Sequence, residues 1–232
     1  HAEEGTCRKE PWAFGERARD EVRAALERRM QLMPTLVTLF DEAHRTGAPV
    51  ARPLSFADPK DPCLARVDDV FTLGADLLVA PVLEQGEVTK RVMLPRGGWY
   101  PFPLGGLFLT TREVIVGAPR GTTPVFARAG SIVFTGARLQ HTGAPDEERT
   151  WHVFLDAAGH ARGTLVEDSG RGPEPEGRLL VEALRVDNGV QVVVQHEGAP
   201  PPLRRRVVVH DGPRTAEHSD VGFGDVVVTW AG

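Results

Sequence analysis

The sequence predicts a mostly β chain: one amphipathic helix and a single strand, then two sets of short strands. Three observations predict it. Apolar residues recur at helical spacing only between Glu16 and Thr46. From about position 70 onward, short apolar runs alternate with Gly and Pro turns in the manner of a β-sandwich. A polar stretch from Gly136 to Arg149, containing Gly and Pro, divides those runs into two sets.

The helix is read from Ala18, Val22, Ala25, Leu26, Met30, Met33, Val37 and Phe40, whose steps of three and four form one stripe. Arg17, Arg19, Glu21, Arg23, Glu27 and Arg28 fill much of the other face. Pro34 lacks an N–H and crowds the preceding turn, so a kink or a split is expected there. Gly47 is the expected left-handed stop, and Val50–Leu54 the strand that follows. Residues 55–69 read as loop. Val70–Leu73 and Leu77–Val82, bridged by Gly74-Ala75-Asp76, read as paired strands. Arg91–Leu94, Gly98–Phe102, Glu113–Val116, Pro124–Arg128 and Ser131–Phe134 complete the first set. The second set is Trp151–Leu155, Ala161–Glu167, Arg178–Arg185, Val190–His196, Arg206–His210 and Asp225–Trp230.

A lone helix and strand have no core of their own. They are expected to close onto a larger body preceding His1, and the helical stripe is expected to face water without it. The last strand ends beside Gly232, where the natural C-terminus is expected.

The chain has 232 residues, a net charge of -5 and 41% hydrophobic residues, ordinary values for a globular protein. An acidic balance argues against a nucleic-acid partner, which requires a basic face. No apolar run reaches the length of a membrane span. The one basic run, Arg204-Arg205-Arg206, reads as a solvated loop entering the strand Val207-Val208-Val209. Cys7 and Cys63 match no metal-ligand spacing, so two free thiols are expected and no metal or cofactor is implied. The compartment is left open, with the cytoplasm preferred.

The ordered motifs are more specific than any of these patterns. His1 is followed at a fixed distance by Glu10-Pro11-Trp12-Ala13-Phe14-Gly15, then by Leu32-Met33-Pro34-Thr35-Leu36-Val37-Thr38-Leu39-Phe40 and Glu42-Ala43-His44-Arg45-Thr46-Gly47. Val50-Ala51-Arg52-Pro53-Leu54, Leu73-Gly74-Ala75-Asp76-Leu77-Leu78-Val79-Ala80-Pro81-Val82, Pro124–Ile132 and Glu167-Asp168-Ser169-Gly170 come next. The series resembles the C-terminal part of glycoside hydrolase family 31, the α-glucosidase and α-xylosidase family. The resemblance covers most of the chain and weakens after about Gly177. Thr35 and Val37 stand where the family often has tyrosines, and Ser169 where it often has a second acid.

The resemblance implies a fold: residues 1–69 as the end of a (β/α)8 barrel, 70–139 as a proximal β-sandwich and 140–232 as a distal one. It implies retaining hydrolysis of α-linked sugars by two carboxylates about 5–5.5 Å apart. In the family both are aspartates on earlier barrel strands, so no residue of this chain is assigned a catalytic role and the chain alone is expected to be inactive. His1 is the substrate-binding candidate, at the exit of the seventh barrel strand, where an imidazole can donate to and accept from sugar hydroxyls. The implied partners are an α-linked oligosaccharide or glycoside and the rest of the barrel. A noncatalytic sugar-binding or structural module and an α-xylosidase are the alternatives.

Smaller candidates have plainer readings. Trp12 and Phe14 are expected to staple a loop to the helix start rather than line a sugar cleft. Arg52 reads as an ion-pair residue, His44 as a helix-end charge, and Asp68 and Asp69 as loop hydrogen-bonding groups. Trp99, Tyr100, Phe102, Trp151 and Trp230 read as core.

Overall fold

A computed structural model describes residues 5, 8–106, 108–139, 141, 144, 146–168, 174–198 and 203–230. The long helix is split. A 3₁₀ turn at Pro11–Phe14 leads into α1 (Glu16–Gln31), Leu32 interrupts it, and α2 (Met33–Thr46) follows with Pro34 in its first turn, where no N–H is needed. Gly47 ends α2 at φ 76°, its amide donating to Ala43 O at 2.9 Å.

The first group of strands is β1 (Ala51–Pro53), β2 (Phe71–Leu73), β3 (Leu77–Val79), β4 (Thr89–Met93), β5 (Trp99–Pro101), β6 (Glu113–Gly117) and β7 (Val125–Arg128). Five of them form a sheet in the order β1-β2-β3-β7-β5, and β4 pairs with β6 separately. Between these layers lie Leu54, Leu64, Leu78, Val92, Leu94, Trp99 and Phe126, all buried. The strand expected at Val50–Leu54, within the span the resemblance assigns to the end of a barrel, is β1. It pairs antiparallel with β2, Arg52 opposite Thr72, at the edge of the five-stranded sheet.

The second group is β8 (Ser131–Gly136), β9 (Glu148–Phe154), β10 (His160–Glu167), β11 (Gly177–Val186), β12 (Gly189–Gly198), β13 (Arg204–Asp211), β14 (Arg214–Val221) and β15 (Val226–Thr229). They form one eight-stranded sheet, β14-β13-β9-β8-β10-β11-β12-β15, which curls until β14 and β15 approach each other. Sixteen buried residues, among them Trp151, Leu165, Val181, Val192 and Val207, fill the inside.

Three expectations change here. Ser131–Phe134, read with the first set, is β8, and it hydrogen-bonds to β9 and β10 of the second. The strand β14 is not among the expected elements, because Ala216 is its one buried residue and its polar side chains alternate without an apolar face. The Arg204–Arg206 run is not a solvated loop. It opens β13, and Arg205 is only 2% exposed, on the same inner face as Val207 and Val209. Its guanidinium pairs with Asp220 and lies 4.8 Å from the centre of the Trp151 ring.

The helices are not simply left to solvent. β8 and β10 run parallel and pair only at Ser131 and Arg162, then diverge. Into that opening α2 places two hydroxyls: Thr35 Oγ1 donates to Phe134 O at 2.6 Å, and Thr38 Oγ1 accepts from Val166 N at 2.9 Å. Asp41 adds an ion pair to Arg178 at 2.7 Å. Thr38→Val is expected to leave the Val166 amide without its partner and to cost about 1–2 kcal/mol. Faster hydrogen exchange at Val166 would report the loss.

Candidate functional site

His1 and Cys7 lie outside the described residues, as does Ser169. Several of the other candidates take the plainer of their two readings, whereas Trp12 and Phe14 are both mostly exposed. Arg52 reaches back to α2, with Nη2 2.8 Å from Glu42 Oε2 and Nε donating to Pro49 O. Asp69 pairs with Lys90, and Asp68, Asp69, Glu84 and Glu87 all line one surface cleft. His44 sits in the last turn of α2. Trp99 and Trp151 are fully buried, and Trp230 packs on the inner core. Cys63 is an exposed free thiol.

Two features remain open to a partner or to chemistry. The first is the outer side of the helical segment. No residue of α1 is buried, and Trp12 (65% exposed), Phe14 (69%), Leu26 (58%), Phe40 (63%) and Phe56 (55%) all meet water. Large aromatic and aliphatic side chains clustered in one 45-residue span are unusual on a finished surface. The inner side of the same segment is fixed by ion pairs from Glu21 to Arg120 and Glu27 to Arg138, and by Arg28 donating to Gly121 O at 3.0 Å.

The second is a charged cluster where α2, β1, the β2–β3 turn and β7 meet. It holds Glu42, Arg52, Asp76 and Arg128. Burial pushes the Asp76 carboxyl up to about 6, with Glu42 adding to the rise and Arg128 and Arg52 opposing it. Arg128 N also donates to Asp76 O at 2.8 Å. The sequence offers no local signal for this cluster, because its four members come from segments far apart along the chain.

Among the described residues, no three His, Cys, Asp or Glu side chains converge as a metal site, and no helix is long and apolar enough to cross a membrane.

Residues 1–39 match the family 31 glycosyl hydrolase TIM-barrel domain, and residues 47–133 match the family 31 C-terminal domain. The chain belongs to glycoside hydrolase family 31, a family of glycosidases. It is 34% identical over 202 residues to alpha-glucosidase 2 of Bacillus thermoamyloliquefaciens, covering 85% of this chain and 26% of that protein. It is 35% identical over 174 residues to human neutral alpha-glucosidase AB, covering 73% of this chain and 18% of that protein. Among solved structures, a Flavobacterium johnsoniae dextranase of the family, complexed with glucose, superposes with a TM-score of 0.81 at 29% identity, over 89% of this chain and 27% of that one. An alpha-xylosidase from Xanthomonas citri shares the fold, with a TM-score of 0.79 at 24% identity over 96% of this chain and 26% of that one. The chain thus spans about a quarter or less of the length of these two α-glucosidases.

Proposed function

We propose that this chain is the C-terminal part of a retaining α-glycosidase, an α-glucosidase, acting on terminal α-linked sugars of oligosaccharides. Residues 1–69 are the end of its catalytic barrel, 70–139 its proximal and 140–232 its distal β-domain. Within the second of these spans, β8 already belongs to the eight-stranded sheet. The observation that carries the reading is the succession of matches to the family's barrel model and then its C-terminal model, in that order along the chain. The bare outer side of α1 and of Phe40 supports it, being apolar surface of the kind a barrel buries. The α-glucosidase relatives support the glycone, as does the dextranase solved with glucose and, in a variant, with isomaltotriose.

On this reading the two carboxylates that flank the scissile bond, one attacking the anomeric carbon and one protonating the leaving oxygen, stand on barrel strands that this chain does not contribute. Its own contribution to chemistry is His1. An imidazole at the barrel mouth exchanges hydrogen bonds with hydroxyls of the sugar being cleaved, and those bonds tighten as positive charge develops on the ring. The α2–sheet contacts hold the barrel's last helix in place.

Purified residues 1–232 are expected to release no chromophore from a nitrophenyl α-glucoside. In the complete enzyme, His1→Ala is expected to lower kcat/KM by about a hundredfold, ~2.7 kcal/mol, with α-glucosides preferred to α-xylosides before and after the change. Turnover by residues 1–232 alone would overturn the assignment of the acids. A preference for α-xylosides would overturn the glycone.

A further inference from the structure

The seam between the two β units is built around a stack of three rings. His152 and Phe154 on β9 and His210 on β13 lie nearly parallel, 12° apart at each step, with centroid separations of 6.4 Å and 4.7 Å. From the first unit Phe102 meets His152 edge-on at 5.3 Å, and Tyr100 packs on Phe154 at 5.4 Å. The backbone at Gly105 lies so close to His210 that a Cβ there would fall 2.0 Å from Nδ1. Tyr100 fixes the join, donating from its hydroxyl to Leu155 O at 2.7 Å and accepting from Gly212 N at 3.1 Å.

Each imidazole has one hydroxyl neighbour and one bare nitrogen. His152 Nε2 is 3.2 Å from Thr135 Oγ1 and His210 Nδ1 is 3.4 Å from Thr215 Oγ1, while His152 Nδ1 and His210 Nε2 are buried without a hydrogen-bond partner. A neutral ring tolerates this, keeping its lone pair on the bare nitrogen. A second proton would have to sit on that nitrogen, creating a buried charge and an unsatisfied donor together.

We propose that the His152–Phe154–His210 stack is a proton-sensitive latch: protonation of the two imidazoles releases the 101–106 segment from the eight-stranded sheet and opens the seam between the β units. The charged and titratable groups around the stack do not compensate such a charge. On β13, Arg206 repels a proton on His152, and His210 does the same. On β14, Glu217 favours a proton on His210 but is already bonded to Arg206 at 2.7 Å. On β5, Tyr100 is neutral, its pKa raised by burial, and the nearby Arg185 and Asp211 satisfy each other at 2.5 Å. Burial holds both imidazoles down to about 4. A depressed folded value means that the closed seam is fully stable above the free imidazole's range, near pH 6.5, and loses stability as pH falls from there toward about 4.

Hydrogen exchange across the seam tests this in the whole chain. The Gly212 amide donates to Tyr100 Oη across the seam and reports its closure, while the Gly105 amide, bonded to Pro101 O inside the segment, reports whether the released segment loosens. After correction for intrinsic exchange, the opening constant at these amides is expected to rise about tenfold or more per imidazole between pH 7 and pH 5. The rise should be absent in the His152→Phe/His210→Phe variant, which keeps the stack and removes the protons. An opening constant that does not change with pH, or that rises equally in the variant, overturns the latch. Should the variant not fold, the imidazole resonances of the unaltered chain decide: midpoints below about pH 6 for both rings support it, and a midpoint at or above that value for either one overturns it.

Discussion

Glu167→Ala is expected to lower the unfolding free energy by about 3–5 kcal/mol, measured by urea titration at neutral pH. Glu167 on β10 and Arg149 on β9 face the interior of the curled sheet, their side chains only 5% and 9% exposed. Two bonds of 2.8 Å join the carboxylate to Nε and Nη2. Arg149 also lies 2.9 Å from Asp146 Oδ2 and donates to Glu148 O at 2.9 Å. Burial pushes the Glu167 carboxyl up while the guanidinium against it pulls the other way, so the pair is held by mutual neutralisation. Removing the acid leaves a buried guanidinium with one flanking carboxylate instead of two. The cost comes from that stranded charge rather than from a lost contact. Arg149→Met/Glu167→Leu is therefore expected to recover most of the loss, and added salt should change neither result, because the site is screened from solvent.

Trp151→Ala is expected to cost about 3–5 kcal/mol by calorimetry. Trp151 is the largest side chain in the interior of the sheet and fully buried. Phe134 meets it edge-on at 5.7 Å, Phe223 stacks on it at 6.5 Å, and Arg205 lies over its face. The truncation opens a cavity and also removes the ring against which Arg205 is desolvated. Trp151→Phe should cost less, since it keeps a ring in place and deletes an indole N–H that has no partner. Arg149 and Arg205 stand opposite each other in the β9–β13 register, each with its own acid. Both substitutions thus probe one end of the same core, and their effects are expected to couple rather than add.

The valine runs of β12 and β13 are legible as strands because buried strands need β-branched residues on both faces, and helical spacing marks α1 and α2. Pro34 and Gly47 act as their chemistry requires. What periodicity does not supply is partnership. Nothing in Ser131–Gly136 says which sheet it joins, so β8 reads with its sequence neighbours instead of its hydrogen-bonding ones. β14 escapes notice because a strand at the end of a curled sheet can keep a polar outer face and bury little. Thr35 is singled out in the sequence only as a departure from a frequent tyrosine and Thr38 not at all, and their hydrogen bonds to β8 and β10 depend on a divergence of two distant strands. His152 and His210 look like ordinary strand positions, since the Gly105 backbone that presses on His210 comes from about a hundred residues away. The sugar-site candidate His1 comes from motif register alone, whereas the Asp76 cluster is visible only in three dimensions.

The two threonines of α2 bear on where this polypeptide can be divided. The two family matches meet along the sequence between residues 39 and 47. In space no junction exists there, because the helix that ends the first region stops the backbone of the second from fraying. A β-domain excised at residue 47 would carry a wound along its largest sheet, with the Phe134 carbonyl and the Val166 amide both bared. The helical segment and the eight-stranded sheet are therefore one cooperative body, in which loosening the sheet reaches the helix pinned to it.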